Sequence, residues 1–566
     1  MRRKTVSGIM LSLLLIGILI LTFNIQPVKS EPTSIIVPDD YEKIQWAIGN
    51  ATEGDTILVK AGTYNEHVFV DKTLTLIGEN KSNTIISGLD LGHGPSWGLV
   101  SITASNAVVT GFAIRDFTTS TQIGVFMRNS YYCNISGNII ANHSYGIDIR
   151  QSEDNFIGNN TISRCSVYGI VISESSKNNI LRNNNWTGNN WNLGVFSYFF
   201  HDIDTSNLVD GKPVYYWVNQ KDKEVPNDAG YVALVNSTNI VVKNLTIAHN
   251  QGVLLAHTTN STIEDVNVST SLRGFYLIHS HNNTICRCDT TQTAEGIRLE
   301  GSNNNQISEN IISHYYDIGI MFEDSERNTI TNNTMSVDWM NSKSFWISGG
   351  NNIIYHNNIL HHYKRFFSDG SPNTWDNGYP SGGNYWSDYN GTDLYSGASQ
   401  NETGSDGIGD IPYEINMGNV DRYPLMGHIS FFNAGTWDGI IYYVHTISNS
   451  TISDFYFSED NKLVSLNVTR PDGTFGFCRV TIPNEILWCD NQEQWQVWVN
   501  NTLIEDIKII ENTNHTYIHF TYNHSTQNIK VIGVNVIPEF PSFLILPLFM
   551  TATLLAAIVY RRKHST

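Results

Sequence analysis

Charged side chains are scarce in this chain of 566 residues, and basic ones are the scarcest. Lys, Arg, Asp and Glu together make up 15% of the sequence, and the formal net charge is −19. A nucleic-acid-binding protein needs a basic patch or stripe to contact phosphates. With 34 Lys and Arg against 53 Asp and Glu, the sequence argues against a nucleic-acid partner.

Cysteines are few and give little metal chemistry. The six are Cys133, Cys165, Cys286, Cys288, Cys478 and Cys489. The Cys286-X-Cys288 spacing is too tight for an ordinary metal knuckle, so we interpret both residues as structural or free. In an oxidising compartment the cysteines could pair, and Cys478 with Cys489, which flank a predicted hairpin, is the predicted disulfide.

The apolar runs that could cross a membrane lie at the two ends. Residues 1–30 combine a basic start, an apolar run at Gly8–Phe23 and small residues near the end, which predicts a secretory signal peptide. An uncleaved signal anchor is the alternative. Residues 543–560 are apolar and just long enough to span a bilayer, and the basic residues 561–563 would stay cytoplasmic. The sequence therefore predicts an extracellular protein with a single C-terminal anchor.

Glycosylation signals agree with an extracellular location. Nineteen Asn-X-Ser/Thr sequons occur between Asn50 and Asn523. Each is weak evidence alone, since Asn, Ser and Thr are common in turns. Together with a signal peptide they predict a glycosylated surface, with sites that include Asn134, Asn244, Asn282, Asn332, Asn390 and Asn467.

The sequence also lacks helix-forming residues at helical spacing. It has instead a repeat of 22 or 23 residues. Seven glycines recur every 22 or 23 residues in two series: Gly124, Gly146 and Gly169, then Gly252, Gly274, Gly296 and Gly319. Apolar residues stand at the first and third positions after most of them: Ile147 and Ile149, Ile170 and Ile172, Val253 and Leu255, Phe275 and Leu277, Ile297 and Leu299, Ile320 and Phe322. This alternation is typical of strands with one face on a core.

A second apolar column and two asparagine columns share the period. The apolar column is Ile135, Ile157, Ile180, Val241, Ile263, Ile285, Ile307, Ile330 and Ile354. Two residues before it we align Asn155, Asn178, Asn239, Asn283, Asn305, Asn328 and Asn352. Three residues after it we align Asn138, Asn160, Asn183, Asn244, Asn310, Asn333 and Asn357.

Units of this length, with short strands and Gly/Asn turns, predict an all-β fold, a parallel β-solenoid. One coil cannot bury its apolar face alone, so coils stack about 4.8 Å apart. Asn tolerates the left-handed backbone of the turns, and stacked Asn side chains can form hydrogen-bonded ladders. Leucine-rich repeats have a similar length, but these units lack that Leu pattern.

The segments at the two ends of the repeat array read as caps. Ile44, Ala47 and Ile48 share one face of a short amphipathic helix with Asp39 or Asp40 as its N-cap, suited to cover the first coil. The repeat breaks between Gly194 and Asn239, which we interpret as an insertion or an irregular coil at about 197–238.

Several longer stretches resemble a known family. "GDTILVKAGTYNEHVFVDKTLTLIGEN", "VDGKPVYYWVNQKD" and "GGNYWSDYNGTD", with "GSDGIGDIPYEI" and "DRYPLM", resemble NosD-type proteins, right-handed parallel β-helices common on archaeal surfaces. The resemblance covers residues 33–426 and implies a pectin-lyase-like solenoid with three short sheets per coil, within a domain at 31–426. Residues 430–535 resemble the smaller β-rich, sandwich-like domain that follows in archaeal surface proteins. "IPEFPS" resembles PEF-type sorting signals, which implies replacement of the tail by a lipid anchor; a transmembrane helix at 543–560 is the alternative.

This fold class hosts polysaccharide lyases, hydrolases, esterases and epimerases as well as inert surface proteins, so chemistry must be sought in the residues. Glu300 and Glu323 should point outward one coil apart, near the carboxylate spacing of retaining glycosidases. Arg298 beside them could bind an acidic sugar. The alternative, which we favour, is ordinary ion pairing on a solvated face.

Three further sets of candidates remain. The first set is aromatic: Trp375, Tyr385 and Trp386. These side chains could stack on sugar rings. We favour the alternative that they are buried and seal the last coil. Asp406 and Asp410 resemble part of a calcium loop, although a ligand of the pattern is missing, and we expect no other cofactor. The resemblance to NosD suggests copper binding, and the only histidine cluster in the sequence that could bind copper is His356, His361 and His362. The alternative is that these are ordinary surface histidines.

Taken together, the sequence predicts a membrane-anchored, glycosylated surface β-helix that binds carbohydrate or neighbouring surface proteins without catalysis. The first alternative is a polysaccharide lyase or hydrolase acting on acidic sugars. The second alternative is a copper-handling accessory protein of the NosD type.

Overall fold

The computed structural model describes residues 33–537 except 90, 92–97, 116–121, 337–340, 361–365 and 417. The predicted signal peptide (1–30) and the predicted membrane segment (543–560) lie outside the described residues. Within the described residues no helix has both the length and the apolar character needed to cross a membrane. The chain divides into two units, one up to residue 189 with 195–201, the other 190–194 with 202 onward.

The first unit is a parallel β-helix whose coils each contribute to three sheets, called A, B and C. Sheet A contains Ser34–Val37, Thr56–Val59, Thr75–Gly78, Val108–Thr110, Asn134–Ser136, Phe156–Gly158 and Ile180–Arg182. Sheet B contains Gly62–Asn65, Thr84–Ser87, Ala113–Arg115, Ile139–Ala141, Thr161–Ser163 and Asn185–Thr187. Sheet C contains Val68–Val70, Val100–Ile102, Ile123–Arg128, Tyr145–Arg150 and Tyr168–Ser173.

A helix at Ile44–Asn50 covers the first coil with the predicted residues Ile44, Ala47 and Ile48, all buried. Its N-cap is Lys43, and no side chain of the flanking residues caps it, so the predicted cap at Asp39 or Asp40 is wrong. Glu66 from the next coil supplies the missing acceptors, because its carboxylate accepts hydrogen bonds from the N–H groups of Ile44 (3.0 Å) and Gln45 (2.9 Å).

The second unit contains two parallel sheets, D and E. Sheet D contains Lys212–Val218, Tyr231–Val235, Val253–Ala256, Arg273–Ile278, Glu295–Glu300, Ile318–Glu323, Lys343–Ile347 and Phe366–Ser368. Sheet E starts with the long strands Thr238–Ala248 and Thr262–Ser269, which pair with each other, and Lys221–Glu224 pairs with the first of them. Later coils contribute two short strands each: Thr284–Cys286 and Asp289–Thr291, Gln306–Ser308 and Ile311–Ser313, Thr329–Thr331 and Thr334–Ser336, Ile353–Tyr355 and Asn358–Leu360, then Tyr385–Trp386 alone.

The segment at about 197–238, predicted as an insertion or an irregular coil, is largely a coil of the solenoid. Lys212–Val218 pairs in parallel with Tyr231–Val235, and Lys221–Glu224 pairs in parallel with Thr238–Ala248. The segment therefore forms a coil that lacks the Gly and Asn signature, which is why the repeat was not visible there. Short strands at Trp191–Val195, Asp202–Ile203 and Leu208–Val209 precede it.

Strand register confirms the glycine-aligned apolar columns. Ile297 pairs with Phe275 and Ile320, and Leu299 pairs with Leu277 and Phe322, so each column stacks like on like in the core. The glycines themselves sit where successive backbones meet. A Cβ on Gly296 would lie 2.5 Å from the carbonyl oxygen of Gly319 and 2.4 Å from Ile312, which leaves room for glycine alone.

The asparagine columns turn out to be two adjacent columns with different functions. The residue before most ladder positions turns the chain at positive φ, and it is an asparagine in some coils, as at Asn282 and Asn304, and another residue in others, as at Arg327. The next residue forms a ladder through successive coils: Asn283, Asn305, Asn328, Asn352 and Asn373 in one, Asn310, Asn333, Asn357 and Asn384 in the other.

Four predicted ladder residues are off by one. Asn178, Asn183, Asn239 and Asn244 occupy turn positions with φ of 52°, 54°, 55° and 54°. The ladder in the first unit uses Asn179 and Asn184, and Leu181 instead of Ile180 fills the core. The cause is an additional turn residue, since Glu174 and Ser175 are both left-handed. Val241 is likewise displaced, because Val242 pairs with Ile263.

Residues from His428 onward form two antiparallel sheets, F and G, around a shared core. Sheet F contains His428–Trp437, Ile440–Ser448, Phe475–Pro483, His515–Asn523 and Ile507–Glu511. Sheet G contains Thr451–Ser458, Leu463–Thr469, Gln527–Ile532, Gln496–Val499 and Thr502–Ile504. Smaller elements are the pairs Tyr395–Ser396 with Glu402–Thr403, Tyr413–Asn416 with Asn419–Asp421 and Leu487–Trp488 with Asn535–Val536, and a 3₁₀ turn at Gln492–Gln494.

The predicted disulfide is absent. All six cysteines are free thiols. Cys478 is fully buried in the core beneath sheet F, whereas Cys489 follows the short strand Leu487–Trp488, which pairs with the last described strand. Burial raises the pKa of the Cys478 thiol, so this cysteine acts as a small apolar core residue.

Candidate functional site

The predicted catalytic residues do come together on the outer face of sheet D. Glu300 and Glu323 are register partners in neighbouring coils, and Arg298 lies between them. One terminal nitrogen of Arg298 is 2.6 Å from a Glu323 carboxylate oxygen and 3.6 Å from one of Glu300. The other terminal nitrogen is 3.0 Å from Glu295.

This cluster neutralises its own charges. The hydroxyl of Tyr276 donates to Glu300 at 2.8 Å, and Arg273 binds Glu295 at 2.5 Å. Glycosidic cleavage needs two carboxylates with the sugar held between them, but here an arginine of the protein occupies the space between Glu300 and Glu323. The arrangement fits the ion-pairing alternative better, and the catalytic assignment stays a prediction.

Trp375 and Trp386 are not available to a sugar, because each is 1% exposed. The stacking prediction is therefore wrong for these two, and the sealing alternative is confirmed. The Trp375 indole N–H donates to Asn419 at 3.0 Å, and that of Trp386 donates to Asp421 at 2.8 Å. Asn419 and Asp421 also accept hydrogen bonds from the backbone N–H groups of Asn373 and Asn384, the last residues of the two ladders. The strand Asn419–Asp421 therefore ends both ladders and holds both tryptophans in place.

Tyr385 behaves differently, because its half-buried ring lines an open groove of about 470 Å³. Its ring centroid lies 4.5 Å from that of His428. Polar groups of residues 448–451 and the side chains of Thr469 and Arg470 complete the lining. The groove lies where the last solenoid strand meets the first strands of sheets F and G.

The groove carries positive charge in an acidic protein. Arg470 is exposed and donates a hydrogen bond to the carbonyl oxygen of Asn449, which fixes its guanidinium at the groove. No carboxylate pairs with it anywhere in the described part of the chain. Burial, with a further contribution from Arg470, lowers the pKa of His428, and burial raises the pKa of Tyr385. Both rings are therefore neutral near pH 7, next to one unneutralised cation.

A second cavity, of about 180 Å³, contains histidines. His356 from the solenoid meets His445 and His515 of sheet F there, with ring centroids of neighbouring pairs 6.3 and 6.4 Å apart. Of the predicted copper cluster, His361 and His362 lie outside the described residues. Among the residues that are described, no group of three or more His, Cys, Asp or Glu is placed to hold a metal ion.

Burial keeps these histidines uncharged. It lowers the pKa of His356 to about 4 and that of His445 to about 3, and it also lowers that of His515. Arg479 faces the cluster and disfavours a further positive charge on His356, while Glu485 acts in the opposite direction on His515.

Acidification should therefore weaken the folded state through this cavity. An unfolded histidine has a pKa near 6.5, so below that pH the unfolded chain binds protons that the buried imidazoles do not. Between pH 7 and pH 5, this loss should reach about 2 kcal/mol for His445. We expect His445→Gln to remove that part of the decline, measured as unfolding free energies across this range.

The comparison must be made between variants, because Asp421, whose pKa burial raises to about 7, changes stability in the opposite direction with pH. His249→Gln, at an exposed position, is the control for replacing a histidine outside the cavity. Equal slopes for His445→Gln and the wild-type protein would show that His445 is not responsible.

Asp406 and Asp410, the predicted calcium ligands, hold loops together. Asp410 accepts hydrogen bonds from Thr392, Leu394 and Tyr395 at 2.9 to 3.0 Å. Asp406 is fully buried and accepts from the N–H of Ile408 at 3.0 Å. The calcium assignment stays a prediction, and these contacts give both carboxylates a structural role.

The predicted glycosylation sites lie in different environments. Asn244, Asn282 and Asn390 are exposed, and Asn134 is half-buried in a strand. Asn467 uses its whole carboxamide, since Nδ2 donates to Asp454 and Oδ1 accepts from Asn528. Asn332 lines the histidine cavity.

Sequence reasoning missed the groove at Tyr385 apart from that tyrosine itself. His428 and Arg470 lie 43 and 85 residues further along the chain, on either side of strands whose pairing sets their positions. No local motif marks either residue.

Comparison with known proteins places the chain in a family. The family model described as "Periplasmic copper-binding protein (NosD)" matches residues 48–198 and 203–391, more than half of the chain. The chain belongs to the NosD family. A relative of this NosD-family chain, a cell surface glycoprotein of Methanothermus fervidus, is 25% identical over 195 residues, which are 28% of this chain and 31% of that protein. The match thus spans less than a third of the relative's length.

Solved structures resembling this NosD-family chain are carbohydrate-active enzymes among others. The catalytic unit of a GH87 α-1,3-glucanase from Streptomyces thermodiastaticus is 12% identical, covering 62% of this chain and 70% of that chain, with a TM-score of 0.30. The A-module of the mannuronan C-5 epimerase AlgE6 from Azotobacter vinelandii is 15% identical, covering 58% and 94%, with a TM-score of 0.27. Scores this low assign neither substrate nor activity to this chain.

Proposed function

We propose that this NosD-family chain is a membrane-anchored surface protein that binds acidic polysaccharide, without cleaving it, in the groove at Tyr385, His428 and Arg470. The observation that carries the proposal is the exposed Arg470 guanidinium, fixed at the edge of an aromatic, hydroxyl-lined groove and unmatched by any carboxylate of the described chain.

The dimensions of the groove suit a short stretch of sugar chain. Small-ligand sites usually measure about 300 to 1,000 Å³, and the groove measures about 470 Å³. The ring of Tyr385 offers an apolar face for the C–H side of a sugar and a hydroxyl for its rim. Ser450, Thr451 and Thr469 add hydroxyl groups that can donate and accept hydrogen bonds.

Charge favours a sugar that carries a carboxylate. The protein has a net charge of −19, so it repels polyanions in general and needs a local cation to bind one. A guanidinium can bind a carboxylate through two parallel hydrogen bonds. Arg298 and Arg273 cannot serve in this way, because glutamates already occupy them.

Location supports the same function. Membership of a periplasmic family and likeness to a cell surface glycoprotein support a surface or extracellular position. We place the anchor at residues 543–560, where the apolar run is long enough to span a bilayer.

Substitution of Arg470 tests the proposal. We expect Arg470→Gln to weaken binding of a uronic-acid oligosaccharide by about 10- to 100-fold, because a hydrogen bond to a charged group contributes about 1.5 to 3 kcal/mol. The measurement is titration calorimetry with the full-length protein and oligosaccharides of uronic acids and of neutral hexoses. Tyr385→Ala should weaken both kinds of ligand.

Arg327 provides the matched control, since it is 61% exposed on a solenoid corner outside the groove. Arg327→Gln should bind as the wild-type protein does. An equal loss of oligosaccharide affinity in the two arginine variants would show that the effect comes from net charge and not from the groove. Release of shortened or unsaturated sugars would overturn the claim that no catalysis occurs.

A further inference from the structure

The histidine cavity contains a sequon asparagine whose side chain has no use in the fold. Asn332 turns the chain at φ 62° and begins the sequon Asn332-Asn333-Thr334. Its Oδ1 is buried without a hydrogen-bond partner. Its Nδ2 makes no hydrogen bond within the described part of the chain and is not buried, so this amide nitrogen faces open space.

Asn332 lines a defined cavity, and six of its thirteen lining residues carry rings. Tyr355 and His356 line it from the solenoid, and Phe431, His445 and Tyr517 line it from sheet F. An apolar cavity of about 150 Å³ holds a benzene molecule, so the present cavity of about 180 Å³ can accommodate one six-membered sugar ring. Neutral imidazoles can donate and accept hydrogen bonds, which suits a ring edged with hydroxyl groups.

We propose that Asn332 carries an N-linked glycan whose first sugar ring occupies this cavity and joins the solenoid to sheet F. The donor is a sugar chain activated on a lipid phosphate. Nδ2 forms a bond to C1 of the first sugar while the bond between C1 and the phosphate oxygen breaks. The phosphate leaves with the bonding electrons, and the amide proton passes to a base of the transferase.

The fold also sets when the modification takes place. Asn333 is a buried ladder residue and Thr334 begins a strand, so the sequon is inaccessible to a transferase once the coil has closed. The glycan must be attached before this coil stacks on its neighbours. The sugar is then enclosed as sheet F packs against the solenoid.

Two other sequons provide comparisons. Asn282-Asn283-Thr284 likewise places a turn residue, a ladder residue and the first residue of a strand in succession, in the other ladder, but Asn282 is exposed and lines neither described cavity. Asn467 already uses both atoms of its carboxamide within the fold. We expect Asn332 to be modified and Asn467 to be unmodified.

The test is glycopeptide mass spectrometry on the full-length protein from an archaeal host, with thermal unfolding of two variants. Asn332→Gly removes the sequon and keeps a residue that tolerates positive φ. We expect it to lower Tm by about 2 °C or more, whereas Asn282→Gly leaves Tm unchanged. In protein from a host without N-glycosylation, Asn332→Gly and the wild-type protein should unfold at the same temperature.

Each other result would overturn the proposal in a specific way. An unmodified Asn332 beside a modified Asn282 would refute the site. A modified Asn332 whose loss leaves Tm unchanged would refute the placement of the sugar in the cavity. An equal loss of Tm in both hosts would assign the effect to the asparagine side chain itself.

Discussion

Replacing Asn305 with Leu should destabilise the second unit by about 4 kcal/mol, although the two side chains have the same branched arrangement of heavy atoms. Asn305 is buried in the middle of a ladder. Its Oδ1 accepts hydrogen bonds from the backbone N–H (2.9 Å) and the Nδ2 (3.2 Å) of Asn283. Its Nδ2 donates to Ser280 and Asn328.

The leucine side chain can satisfy none of these partners. The backbone N–H of Asn283 and the carbonyl oxygen of Ser280 would stay buried without a partner, and each unsatisfied group costs about 1 to 3 kcal/mol. Asn328 Oδ1 keeps the backbone N–H of residue 305, and Asn283 Nδ2 keeps its bond to Thr258, so the expected total lies near the middle of the sum for two groups. The loss should be measured by denaturant unfolding, with hydrogen exchange locating it to the coils on both sides.

The preceding residue is the matched control. Asn304 is exposed and has a positive φ of 57°, so Asn304→Leu should cost about 1 kcal/mol through backbone strain alone. The two substitutions exchange the same residue types at adjacent positions. If they destabilise the protein equally, the ladder contributes nothing beyond turn conformation, and our assignment of the two columns is wrong.

Removing the carboxylate of Asp421 should open the end of the solenoid. Asp421 is fully buried and accepts hydrogen bonds from the N–H groups of Asn384 (2.8 Å) and Tyr423 (3.1 Å) and from the Trp386 indole (2.8 Å). Asp421→Ala leaves three buried donors unpaired, and we expect a loss of about 3 kcal/mol. Removal of a buried acidic group offsets part of the full penalty.

Local exchange kinetics will distinguish an opened cap from general destabilisation. Backbone amides of residues 373–387 should exchange faster in Asp421→Ala, while amides of sheet G keep their protection. Asp388→Ala is the control, because Asp388 is exposed and accepts from one hydroxyl, that of Tyr413 at 2.9 Å. If the amides of residues 373–387 are equally protected from exchange in both variants, Asp421 does not hold Trp386 in place.

The sequence shows how far a repeat can be predicted. Stacked columns such as Phe275, Ile297 and Ile320 follow from period and polarity, because register is fixed wherever one face is buried. The ladder positions do not follow from the period alone, because adjacent asparagines have different functions. An additional turn residue, as at Glu174 and Ser175, also shifts the alignment by one.

The groove could not be predicted in the same way. Tyr385 comes from the last solenoid strand, His428 from sheet F, and Arg470 from the end of a sheet G strand. Only the packing of these elements brings the three residues together, and nothing in the period of the solenoid reports it. The candidate chemistry at Arg298, Glu300 and Glu323 was correctly placed, but its partners Arg273 and Tyr276, one coil earlier, decide what the cluster does.

The sequon count also has a structural cause. The motif Asn-Asn-Thr places a left-handed turn residue, a ladder residue and a strand residue in succession, as in Asn159-Asn160-Thr161 and Asn282-Asn283-Thr284. Coil geometry alone therefore creates glycosylation signals. Their number says less about modification than the environment of each amide nitrogen does.

The ladders have a direction, and this has a consequence for how such proteins change over evolutionary time. Each coil donates to the next, and the series ends at Asp421, whose carboxylate passes no hydrogen bond onward. Duplicating or deleting one entire coil leaves the Asn-to-Asn hydrogen bonds of the ladder of the same kind at every junction. The length of the stack of coils can then vary in steps of about 4.8 Å, while the residues of the groove and of the cap stay the same.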